Sequence, residues 1–118
     1  MQSRRKSAQQ LKRLKKMTKY KFLVKSKGIY GFVINGHSGY AESGSDIVCA
    51  AVSSAAYMVA NTITDVLGVK ADIVEADACF SLKLQEKDID KCGVLLKGLQ
   101  LHLDELCTQY PEHITSGE

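Results

Sequence analysis

The chain has 118 residues, 45% of them apolar and 25% charged, with a formal charge of +3, one proline and no tryptophan. A chain of this length is one domain that buries about two thirds of its unfolded surface, which excludes multidomain machinery. The basic charge is confined to one end: Arg4, Arg5, Lys6, Lys12, Arg13, Lys15 and Lys16 face no acids, and without them nine basic residues oppose thirteen acidic ones.

The organisation is therefore read as a basic extension, 1–16, disordered or non-native, followed by a single domain, 17–118. The extension fits a tail for RNA or a membrane, a targeting segment, an expression remnant, or translation from a codon upstream of a natural start at Met17. The last reading is favoured, because Met17-Thr18-Lys19-Tyr20 leads straight into a strand pattern. Residues 17–118, net acidic, are not expected to carry a general nucleic-acid-binding face, so nucleic acid is expected only through residues 1–16. No apolar stretch is expected to reach the roughly 20 residues of a membrane span, and 1–16 lack the apolar core of a secretory signal. A soluble cytoplasmic protein without membrane contact is expected.

In chain order, Tyr20–Lys25 and Ile29–Ile34 are β-branched and aromatic runs around Ser26-Lys27-Gly28, which predicts a hairpin. Ile47 to Leu67 is apolar-rich and stops at Gly68, a C-cap candidate. Its many small residues (Ala50, Ala51, Ser53, Ser54, Ala55, Ala56, Ala60) let a buried helix approach a sheet or another helix closely. Val69–Glu75 and Cys79–Leu84 alternate around Ala76-Asp77-Ala78 and predict a second hairpin. From Asp88 to Tyr110 the set Cys92, Leu95, Leu96, Leu99, Leu103, Leu106, Tyr110 keeps helical spacing until Pro111. The order β-β-α-β-β-α predicts an α+β domain with a four-stranded sheet and two helices. Val94, Gly98 and Leu101 form a second stripe on the last helix, read either as a broadened core face or as a contact with a second copy.

Cys49, Cys79, Cys92 and Cys107 stand 30, 13 and 15 residues apart with no Cys-x-x-Cys pair, so neither zinc nor any other metal or cofactor is expected. Three of them read as reduced, buried hydrophobes. Cys49 has a chemical context. Ser45 or Asp46 caps a helix expected to begin at Ile47, which puts Cys49 in the first turn, where orphan N–H groups and the helix dipole favour a thiolate. Twelve residues upstream lies His37, joined to Cys49 by a glycine- and serine-rich loop long enough to fold the imidazole against the sulfur. The bland alternatives are a packed cysteine and a turn histidine.

Asp46 is read as a cap first and an orienter of His37 second, with Ser45 beside it. Gly36, Ser38, Gly39 and Gly44 are read as a loop that orders over a peptide, or as a plain connector. The glycines superficially match a phosphate loop, but Ser45-Asp46 stands where such loops carry a lysine and a hydroxyl residue, and nucleotide binding is discarded. His102 and His113 are read as surface residues.

Gly36-His37-Ser38 and Asp46-Ile47-Val48-Cys49-Ala50-Ala51-Val52-Ser53 resemble the two motifs of the ribosomal-processing cysteine protease family, Gly-His-Ala and Asp-Ile-Val-Cys-Ala-Ala-Val-Ser. Serine replaces alanine in the first motif, leaving both reacting groups unchanged. The resemblance runs from about Lys19 to Ile114 and includes Gln109-Tyr110-Pro111. It implies a cysteine endopeptidase with a His37/Cys49 dyad, a substrate in the N-terminal extension of a bacterial large-subunit ribosomal protein, and a homodimer. The alternatives weighed are a non-catalytic ribosome- or RNA-associated binding module and a thiol redox sensor, neither of which accounts for His37 and Cys49 together.

Overall fold

The computed structural model describes residues 17–36, 43–76 and 78–117, with 43–46 as backbone alone. Strands β1 (Thr18–Lys25) and β2 (Gly28–Asn35) form the first hairpin and β3 (Ala71–Ala76) and β4 (Cys79–Leu84) the second. Between them lies helix α1 (Ser43–Asn61), continued by a π-helical turn, Thr62–Val66. A short 3-10 turn, Glu86–Asp88, leads into helix α2 (Ile89–Gln109).

Two expectations about the sheet are corrected. It has five strands, not four, and the expected chain order β-β-α-β-β-α is extended by a strand β5 (Ile114–Ser116) after α2, giving the spatial order β3-β4-β2-β1-β5. The added strand pairs parallel with β1, Thr18 opposite Ile114 and Tyr20 opposite Ser116, so the sheet is mixed. Pro111 ends α2, and the chain turns back through His113, whose carbonyl accepts the Thr18 N–H at 2.9 Å. Ile114 is then fully buried, which anchors a strand too short to announce itself by alternation.

One face of the sheet carries Tyr20, Phe32, Ile34, Phe80, Leu82 and Leu84, all buried against the two helices. The helices meet it through stripes at three- and four-residue spacing: Val48, Val52, Ala56, Val59, Ala60 and Ile63 from α1 with its π turn, and Cys92, Leu96, Leu99, Leu103 and Leu106 from α2. Phe32, Leu82, Leu96 and Leu103 are fully enclosed. Truncating any of these large side chains to alanine costs about 2–5 kcal/mol. The second stripe of α2 does not join the core: Val94 is 88% and Leu101 73% exposed.

The expected stop at Gly68 holds. Its φ of +66° suits glycine, and the Val69 N–H reaches the Ile63 carbonyl at 2.9 Å, closing the end of the π turn. The expectation that no stretch reaches membrane-span length is corrected: Ile47–Val66 is 20 residues long with mean hydropathy 1.5. Its buried stripe is nonetheless part of the domain core. Of the three cysteines expected to be buried, only Cys92 is; Cys79 and Cys107 are half-buried.

Candidate active site

Two elements converge on the region that carries the motifs. β2 runs to Asn35 and is followed by Gly36, whose N–H bonds the Ala78 carbonyl at 2.8 Å and whose φ is +88°. A Cβ at Gly36 would lie 2.3 Å from the Met17 carbonyl oxygen, so the chain leaves the sheet through a glycine that no other residue can replace without displacing backbone. Gly36, expected in the substrate loop, thus has a structural duty of its own at the end of β2.

The second element is α1, which holds Cys49 half-buried between exposed Ile47 and fully buried Val48 and Val52. The helix begins at Ser43, four residues earlier than the apolar run suggested. Ser45 and Asp46 are therefore its third and fourth residues, and their reading as N-caps is corrected. Gly44 also falls in this first turn. Cys49 becomes the seventh helical residue, in the second turn rather than the first, and its N–H falls within the regular helical ladder. The orphan N–H groups belong to residues 43–46 instead. Polar, loop-like residues hid this start because Gly and Ser argue against helix by propensity.

His37, Ser38 and Gly39 lie outside the described residues. What the structure brings together are their neighbours. Ile34 and Phe80, at the ends of β2 and β4, line a small depression with Val52, Ser53, Ala56 and Tyr57 of α1. The Tyr57 and Phe80 rings meet at 5.0 Å between centroids. Ile34 is three residues before His37, and Ser53 is one turn beyond Cys49. The reading of the sequence missed Tyr57 and Phe80 as residues of this region; the available signal was Ser53 and Tyr57 recurring at intervals of four from Cys49.

The other cysteines sit elsewhere. Burial pushes the Cys92 thiol above its ordinary range, with Asp88 adding to the rise and Lys91 opposing it. Cys107 lies on α2 beside Tyr20, and Cys79 opens β4, opposite Asn35. Of the histidines, His102 is exposed and His113 half-buried. No group of three or more His, Cys, Asp or Glu able to hold a metal ion occurs among the described residues.

The family profile described as cysteine protease Prp matches residues 17–115. The chain belongs to the Prp cysteine protease family. It is similar to the ribosomal processing cysteine protease Prp of Bacillus subtilis, with 28% identity over 94 residues, covering 75% of this chain and 84% of the relative. Its fold matches the ribosomal processing protease Prp from S. aureus in complex with a substrate peptide, with a TM-score of 0.77, 23% identity, and coverage of 86% and 98% of the two chains. The same S. aureus protease with a covalently linked product peptide matches at a TM-score of 0.74 and 24% identity, with the same coverage. Prp-family membership makes the chain a cysteine protease and leaves the non-catalytic module and the redox sensor without support.

Proposed function

We propose that the unit 17–118 is an endopeptidase in which His37 and Cys49 form the catalytic dyad. The observation that carries this reading is the shared depression between the end of β2 and α1, in which side chains flanking both motifs face one another. A dyad there removes the thiol proton to the imidazole. The thiolate attacks the scissile carbonyl, the imidazolium protonates the leaving amine, and water hydrolyses the thioester with His37 as base. The free N–H groups of the first turn of α1 are the donors for the oxyanion, and Ser45 and Asp46, in that turn, support the loop or orient His37. Gly36, Ser38, Gly39 and Gly44 give the intervening segment the freedom to close over an extended peptide. A product peptide held covalently by the S. aureus relative agrees with an acyl-enzyme path.

The substrate proposed is the N-terminal extension of a bacterial large-subunit ribosomal protein, in line with the function named for the B. subtilis relative. The enzyme acts in the cytoplasm as a homodimer. The exposed Val94, Gly98 and Leu101 stripe, continuous with a groove of about 430 Å³ lined by Ala55, Met58 and Leu95, supports the pairing.

Incubation of the ribosomal-protein precursor with this chain and with Cys49→Ala, read by intact mass, tests the assignment. Loss of a short N-terminal peptide with the native chain alone is expected. Equal cleavage by Cys49→Ala, or by neither chain while both stay folded, overturns it.

A further inference from the structure

Net charge averages over faces, and here it conceals a segregation. The first 41 residues contain eleven Lys and Arg and no acid; all thirteen acids follow from Glu42 onward. Four of those cations, Lys19, Lys21, Lys25 and Lys27, belong to the β1–β2 hairpin. The register places Lys19, Lys21 and Lys25 in one file, because the irregularity near Leu23 is taken up by an extra residue in β2 and leaves the alternation of β1 intact. That file lies on the sheet face opposite the helices: Lys21 is opposite Val33, which is opposite Ser81, whereas Phe22, Phe32 and Leu82 share the covered side.

Lys83 joins the same open face, its β4 position opposite Gly31 and therefore in line with Leu23 of β1. Lys19, Lys21, Lys25 and Lys83 are all exposed. Among the described residues no carboxylate forms an ion pair with Lys19, Lys21 or Lys83, and the nearest acid by register is Asp72, opposite Lys83 on β3. At the turn the Lys25 ammonium lies 4.6 Å from the centre of the Tyr30 ring. Across β2, β1 and β5 runs a shallow groove of about 500 Å³, lined by Lys19, Lys21, Asn35, Thr115 and Ser116 together with the apolar Leu23 and Val33.

We propose that this open face of β1, β2 and β4 is an RNA-docking surface. Lysines recurring at the two-residue step of a strand, about 7 Å apart, complement a polymer bearing one anion per repeat unit. Asn35, Thr115 and Ser116 supply uncharged donors and acceptors beside them. A lipid surface fits less well, since the file of lysines is interrupted only by half-buried Leu23 and bordered by half-buried Val33, while the exposed Val74 of that face, opposite Ser81, stands on the edge strand β3, three strands from β1. The surface is separate from Cys49 and does not depend on the dyad. Residues 1–16 add seven further cations leading into β1.

The test is fluorescence anisotropy of a labelled 20-nucleotide poly(U) RNA with the full chain and with its Lys19→Ala/Lys21→Ala/Lys83→Ala variant, as a function of salt. Three lost phosphate contacts flatten the slope of log K against log salt by about 2 and weaken binding more than tenfold at low salt. Cleavage of a precursor peptide by the triple variant stays unchanged, and circular dichroism checks its folding independently. Equal slopes for the two chains place all binding in residues 1–16 and overturn the proposal. It is overturned equally by lost peptide cleavage in the folded variant, which would make the face part of the substrate site, and by binding to phosphatidylserine vesicles without binding to RNA.

Discussion

Tyr20 in β1 donates a 2.5 Å hydrogen bond to Oδ1 of Asp104 in α2, joining residues 84 apart in sequence. The bond ties the strand next to the edge to the long helix, and β5 closes over the same strand through the Gly117 N–H, which reaches the Tyr20 carbonyl at 2.6 Å. Burial, then the Asp104 carboxylate, pushes the Tyr20 phenol above its ordinary value of 10.0. Its neutral form is thus favoured in the folded state.

A group with a raised folded pKa contributes stability that is complete below its unfolded pKa and is lost as pH climbs above it. Urea denaturation should therefore show the advantage of the native chain over Tyr20→Phe at pH 7, about 1 kcal/mol, shrinking progressively above pH 10. A difference that stays constant to pH 11 would show that the bond does not discriminate between phenol and phenolate.

Gly36→Ala combines a left-handed φ with a Cβ driven onto the Met17 carbonyl. It should lower stability by about 1–3 kcal/mol and reduce kcat, because the strand end that precedes His37 must shift. Gly98→Ala, with nothing within 4 Å of the added Cβ, is the matched control and should leave the stability of the protomer unchanged or slightly raised. Thermal unfolding of both variants, with peptide turnover, gives the comparison.

Thiol reactivity should divide the cysteines. Cys92 is fully buried and its thiol is held above the ordinary range, so it should resist iodoacetamide until the chain unfolds. Inactivation should follow alkylation of half-buried Cys49 one for one, as read by peptide mass mapping during the time course. Full activity after stoichiometric modification of Cys49 would remove it from the mechanism.

For the proposed homodimer, Val94→Lys and Leu101→Lys put charge on two of the most exposed apolar side chains of the molecule without touching the core. Sedimentation velocity should show dimer for the native chain and a shift to monomer for the double variant, with the protomer fold retained by circular dichroism. Monomer for the native chain at micromolar concentration would leave the stripe without this role.

Local patterns accounted for much of the fold. Alternation in Cys79–Leu84 matched the burial of Phe80, Leu82 and Leu84, and helical spacing from Cys92 to Leu106 matched the buried stripe of α2, because a side chain's direction repeats with the backbone period of its element. Gly68 ended its helix for the same local reason, a backbone conformation that glycine adopts without strain. The motif around Cys49 was equally legible, since it is a string of residue types.

Tertiary structure alone decided the rest. Ile114–Ser116 is a strand only because β1 offers it a free edge and a buried pocket for Ile114, and three residues carry no period of their own. Helix α1 starts at Ser43 although Gly44 and Ser45 disfavour it locally, which moves Cys49 from the first turn to the second. Tyr57 met Phe80, and Tyr20 met Asp104, only once sheet and helices were packed. Local pattern set the two hairpins, the two helices and the reactive residue types; β5, the start of α1 and the neighbours of each residue depended on free energy gained between segments distant in the chain, which no local pattern encodes.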